Sequence, residues 1–160
     1  MNKKNSLLRL LLFSYFFFLF SFVVSAQTAT EMDAMLEANT VSAARAARFV
    51  LGTADLLPAG LSGPAVEKAA YDMALSNGWI KIAAEENVTL KDTAFLIMKA
   101  FNLKGGVMYS LFKNPRYAYR ELVYRKLIQG RTDQTMKVSG QKLLVILDRT
   151  LRYIEEGSIR

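Results

Sequence analysis

The chain has 160 residues, a formal charge of +7, and neither histidine nor cysteine. Those two absences exclude Ser-His-Asp and Cys-His nucleophiles, His/Cys zinc sites and structural disulfides, which leaves carboxylates, lysine and tyrosine as the only reactive groups. Without Lys3, Lys4 and Arg9 the charge falls to about +4, too mild an excess to argue nucleic acid but compatible with an anionic wall polymer or a lipid headgroup layer.

Residues 1–26 read as an export signal. Lys3, Lys4 and Arg9 precede the apolar run Leu10–Val24, and Val24-Ser25-Ala26 ends in the small residue that a signal peptidase requires. Cleavage before Gln27 would leave 27–160 as a single domain with a real core, exported and periplasmic or envelope-associated. The run is long for a signal core, so an uncleaved anchor is the alternative, and the membrane is expected to be met only through it.

From Thr30 the pattern is helical throughout. Residues 30–38 and 42–52 form two short alanine-rich helices, interrupted at Asn39-Thr40 and ended near Gly52 before Pro58. Pro64 opens a helix over 64–77 that stops at Asn77-Gly78, with Trp79 and Ile80 returning to the core. Glu85-Glu86-Asn87 is a polar connector. Thr89 with Asp92 three residues on is a capping box for a helix over 89–102, ended by Lys104-Gly105-Gly106; 107–114 reads as a link with one apolar turn. Pro115 opens a helix over 115–128 with Ala118, Tyr119, Leu122, Val123 and Leu127 on one face, and Gly130 ends it. Ser139 caps a last helix over 139–156, where Leu143, Leu147, Thr150, Leu151 and Ile154 share a stripe, Asp148 and Arg152 can pair, and Gly157 is the stop. Tyr119, Leu122, Leu143, Leu147, Ile97 and Trp79 are expected to be mostly buried.

Three starts of the form valine-hydroxyl recur at Val41-Ser42, Val88-Thr89 and Val138-Ser139. The helices before them also align, Ala70-Tyr71 with Ala118-Tyr119 and Trp79-Ile80 with Leu127-Ile128, so the period is about fifty residues. The expectation is all-α, three helix-loop-helix pseudo-repeats over 30–57, 64–104 and 115–156. The other reading is that any capped amphipathic helix shows the same local pattern.

These residues resemble the S-layer homology family, in which repeats of helix, glycine-started loop with an aspartate, and second helix with a Thr-Arg-Ala-Glu-like cap assemble as a helical trefoil on cell-wall polymers. The resemblance is best at Leu127-Ile128-Gln129-Gly130 through Asp133 to Val138-Ser139, with Arg149 and Leu151 at a basic and an apolar position of the family. It continues at Val88-Thr89 with Asp92 and Ala94, and thinly at Val41-Ser42 with Ala47. The stretch from Pro115 to the Gly-Arg-Thr-Asp loop is also similar to exported spirochaete proteins of this type. The resemblance implies a non-catalytic envelope module that binds peptidoglycan or another anionic wall glycan. The family's polymer-binding arginine, however, falls on Ala43, Leu90 and Gly140, so the usual pyruvylated polymer is not expected.

On the 115–128 helix, Tyr117, Arg120 and Tyr124 offer aromatic rings for sugar faces and a guanidinium for carboxylate or phosphate; burial of the tyrosines between repeats is the competing reading. Arg131 and Asp133 belong either to that surface or to a self-ordered turn, and Trp79 either to a binding groove or to the core. Asp72, Glu85 and Glu86 have no spacing that sets two carboxylates across a cleft, so no catalytic residue, metal ligand or cofactor is expected. The alternative function is a periplasmic adaptor that docks an envelope protein, or a second copy, through the tyrosine-rich helix.

Overall fold

The computed structural model describes residues 29–158. The signal segment 1–26 lies outside them. Backbone contacts divide the chain into Met1–Glu37 and Ala38–Arg160, a boundary that cuts through the expected first repeat. In the first part, residues 29–37 form helix α1. The second part carries α2 (Ala43–Thr53), α3 (Gly63–Ser76), α4 (Leu90–Ala100), α5 (Val107–Phe112), α6 (Pro115–Tyr124) and α7 (Gly140–Ser158). The protein is all-α; no strand forms among the described residues.

The three valines meet at one place. Val41 N–H donates to the carbonyl of Val138 at 2.9 Å, Val138 N–H to Val88 at 3.2 Å, and Val88 N–H to Val41 at 2.9 Å, a closed ring of backbone hydrogen bonds. All three valines are buried. Buried amides must be paired, and here the N–H and C=O of each valine are both paired only if the other two segments are in place.

Helix starts are satisfied in the same cyclic way. The hydroxyls of Ser42, Thr89 and Ser139 each accept from the backbone N–H three residues on, and Thr89 completes its capping box with Asp92. The next amides, which no helix can satisfy internally, reach the connector of another segment: Ala43 to Glu86, Ala44 to Ala84, Leu90 to Met136, Lys91 to Gln134 and Gly140 to Ala38.

Four helix ends share one cap. After α2, α3, α4 and α6, residues Asp55, Gly78, Asn102 and Lys126 adopt φ of 55°, 67°, 49° and 61°, and the following residue donates back to the third residue from the helix end. This left-handed cap satisfies the orphan carbonyls. It also moves boundaries. The helix opened by Pro115 ends at Tyr124 through Lys126, not at Gly130; α4 ends at Ala100 through Asn102, before the Gly105-Gly106 pair; and α7 continues through Gly157.

Packing is closest between α2 and α3 and between α4 and α6, so the paired helices come from neighbouring expected repeats; α2 also touches α4 and α7. Alanine makes this approach possible, since Ala43, Ala44, Ala46 and Ala47 are all buried on α2 and face a partner that buries Ala70 and Ala74. Around them Leu96, Ile97, Leu122, Leu143 and Leu147 are buried, each worth about 2–5 kcal/mol against truncation to alanine. Tyr119 on α6 and Trp79 in the run after α3 are only half-buried, and Val123 on α6 and Leu151 on α7 are exposed, because no further element covers the outer faces on which they lie. Segment 107–114 is not a simple link: it contains α5.

Candidate groove between α4, α5 and α6

Trp79 sits where the chain leaves α3. Gly78 takes the left-handed cap, Trp79 N–H then donates to Ala74, and the extended run Trp79–Ile82 passes the start of α4. Tyr71 fixes this run by donating its hydroxyl to Ile82 O at 2.9 Å, as Tyr119 fixes the later connector by donating to Thr132 O at 3.0 Å. Opposite lie the end of α5 and the opening of α6, where Asn114 caps through Tyr117 N–H and Pro115 supplies the first turn.

Between these walls lies a groove of about 510 Å³, lined by Trp79, Ile80, Lys81, Ile82, Lys91, Asp92, Phe95, Phe112, Lys113, Asn114, Pro115 and Arg116. Three aromatic rings and four cations meet there. The single acid, Asp92, is occupied by the capping box, where it accepts from the Thr89 backbone N–H. Lys99 lies over the Phe95 ring at 5.3 Å, adding a fifth cation just outside the lining. Rings supply flat apolar surface for the C–H faces of a sugar, and the ammonium and guanidinium groups supply donors for carboxylate or phosphate.

The expected site residues fall in three places. Trp79 lines the groove. Tyr117 is half-buried and stacks on Phe112 at 5.5 Å, so it stiffens the groove's edge. Arg120 is exposed farther along α6, and Tyr124 stands 84% exposed. Arg131 and Asp133 are exposed in the 129–137 loop and do not line the groove. Asp133 orders its own turn, accepting from Thr135 N–H at 2.8 Å and from the Thr135 hydroxyl. The Thr135 hydroxyl, then its amide, hold the Asp133 carboxyl below its ordinary range.

No family model, curated protein or solved structure matches this chain. The residues themselves are therefore the basis for a function. Among the described residues no cluster of three or more acids could hold a metal ion, and no helix is long and apolar enough to cross a membrane. Lys81, Lys91, Phe95, Phe112, Lys113 and Arg116 were not legible as a site, because they gather from four segments. The usable signal was the nearness of a cation to an aromatic three times over, Trp79 with Lys81, Lys91 with Phe95, and Phe112 with Lys113.

The wall formed by α5 is held by a polar clamp. Glu121 and Arg125 pair at 2.8 Å with side chains only 15% exposed; Glu121 also accepts from Gly106 N–H, and Arg125 donates to Lys104 O and lies over Tyr153 at 5.0 Å. Tyr109 packs against Gly105, whose missing side chain makes the seat: a Cβ there would lie 2.4 Å from the ring. Burial pushes the Tyr109 phenol up.

Proposed function

We propose that this chain is a non-catalytic, exported envelope module of the S-layer-homology kind, and that the groove beside Trp79 holds an anionic wall glycan. The carrying observation is the composition of the groove, three aromatic rings and four cations with its one acid already engaged. The closed valine ring and the repeated caps support a three-unit arrangement, with α2, α4 and α7 as corresponding helices. Loss of the family arginine at Ala43, Leu90 and Gly140 is offset in this reading by Lys81, Lys91 and Arg116, which deliver charge from other positions to the groove.

Trp79 is the only tryptophan of the chain, so its fluorescence reports this groove directly. Titration with soluble fragments of purified anionic cell wall should quench or shift that emission saturably and more weakly at high salt. An emission that stays unchanged at low salt, together with no retention of the full chain on purified walls, would sink the glycan reading. The adaptor reading would then take its place, resting on Tyr124 with exposed Val123 beside it on α6.

A further inference from the structure

Helix α5 turns its apolar side chains outward. Val107 is 75% exposed and Leu111 69%, with Met108 and Phe112 near half. Val107, Met108 and Leu111 touch little of their own domain and protrude from it, while Phe112 borders the groove and stacks on Tyr117. Cations flank them on both sides. One flank is the groove with Lys81, Lys91 and Arg116; the other is a hollow of about 430 Å³ at the end of α4 with Lys99 and Lys104; Lys113 belongs to both. No acid lines that second hollow, and Glu121 beneath α5 is engaged by Arg125 and Gly106.

We propose that α5 docks the domain on an anionic phospholipid bilayer, with Val107, Met108, Leu111 and Phe112 entering the boundary between headgroups and acyl chains and the lysines meeting lipid phosphates. Protruding aliphatic and aromatic side chains within a collar of lysines are what an interfacial anchor needs. A second copy fits less well, since it would bring an equal set of cations against these. The Glu121–Arg125 clamp and the Tyr109 seat hold the loop in place, so little order has to be created on docking. This goes beyond the expectation that only the N-terminal segment meets a membrane; it shares Phe112 and flanking cations with the groove, while Val107, Met108 and Leu111 lie outside the groove and report the lipid contact by themselves.

The chain has no cysteine, so Leu111→Cys in the full chain gives a unique site for a polarity-sensitive fluorophore, with Ser62→Cys, at the end of α3 opposite Trp79, as the control. Because the apolar run Leu10–Val24 can itself bring the chain to lipid, the readout is local polarity rather than bulk binding. On vesicles of phosphatidylcholine with phosphatidylglycerol, the label at 111 should shift to the blue and be shielded from an aqueous quencher, while the label at 62 is not. Lys104→Gln combined with Lys113→Gln should raise the lipid concentration needed for half of that shift about thirtyfold. The proposal is overturned if the label at 111 stays in water on vesicles that carry the chain, or if phosphatidylcholine alone gives the same shift. It is equally overturned if the shift follows protein concentration without lipid, which would point to a second copy, or if only an acidic protein produces it.

Discussion

Two grooves occupy corresponding places in this domain, and they differ in chemistry. The first lies between Trp79–Ile82 and the start of α4; the second, about 220 Å³, lies beside Gln129 at the start of α7, where Gln141, Lys142 and Val145 stand in place of Lys91, Asp92 and Phe95. The backbone route into each is alike, a left-handed residue followed by a donor to the preceding helix, at Gly78 for the first and Lys126 for the second. What separates them is side chains and one inserted element. Helix α5 walls the first groove and contributes nothing to the second, so a shared scaffold has been given a ligand-sized cleft on one side only.

The largest expected effect removes the scaffold under both. Val88→Pro deletes a ring donor, leaves the buried Val41 carbonyl unpaired, and should cost about 3 kcal/mol or more, read as loss of cooperative unfolding in a urea titration. Gly105→Ala should act on the first groove alone. It drives a Cβ into Tyr109 and should destabilise by about 1–3 kcal/mol, with a shifted Trp79 emission as the sign that the α5 wall has moved. The same seat has a pH signature. Since the folded Tyr109 phenol is raised above 10.0, the native state keeps a proton that the unfolded chain releases, so stability should fall as pH rises above 10.0, and less steeply in Tyr109→Phe.

Lys126→Gly makes the second entrance like the first. A non-glycine residue at φ 61° is strained, and the change should stabilise by about 1 kcal/mol, seen as a higher midpoint in thermal unfolding. The smallest change in stability, within about 0.5 kcal/mol, is expected for Lys81→Gln with Lys91→Gln, which makes the first groove resemble the second. Glycan affinity should nonetheless fall about tenfold in the Trp79 titration, and unchanged affinity would place the ligand elsewhere.

Much of the helical order was legible because capping chemistry is local. Ser42, Thr89 and Ser139 announce their helices; Tyr71 and Tyr119, and likewise Trp79 and Leu127, make similar hydrogen bonds that the spacing alone did not foretell. The missed features have local causes too. A six-residue helix such as α5 is too short to show a 3.6-residue period, and Lys126 adopts a conformation that only glycine or asparagine would have advertised. Gly130, at φ 92°, does have a left-handed role, but in the loop rather than at the helix end. The groove was hidden for another reason: Phe112 and Trp79 come to line it only through tertiary packing, and no spacing rule relates them.

The valine ring also sets an order of events. Its three members are drawn from the beginning, middle and far third of the chain, so every bond in it closes a long loop, and the entropy of closure must be met before any of the three is complete. If the chain emerges from a membrane pore N-terminus first, Val41 and Val88 wait with open valences until Val138 arrives. During that interval α2 and α3 can cover one another's alanines, but the side of α2 that packs on α7 is exposed to water and to other chains. Folding of this domain is then gated by arrival of its last segment, and a chaperone that shields the early helices would act before that point and have no purchase after it.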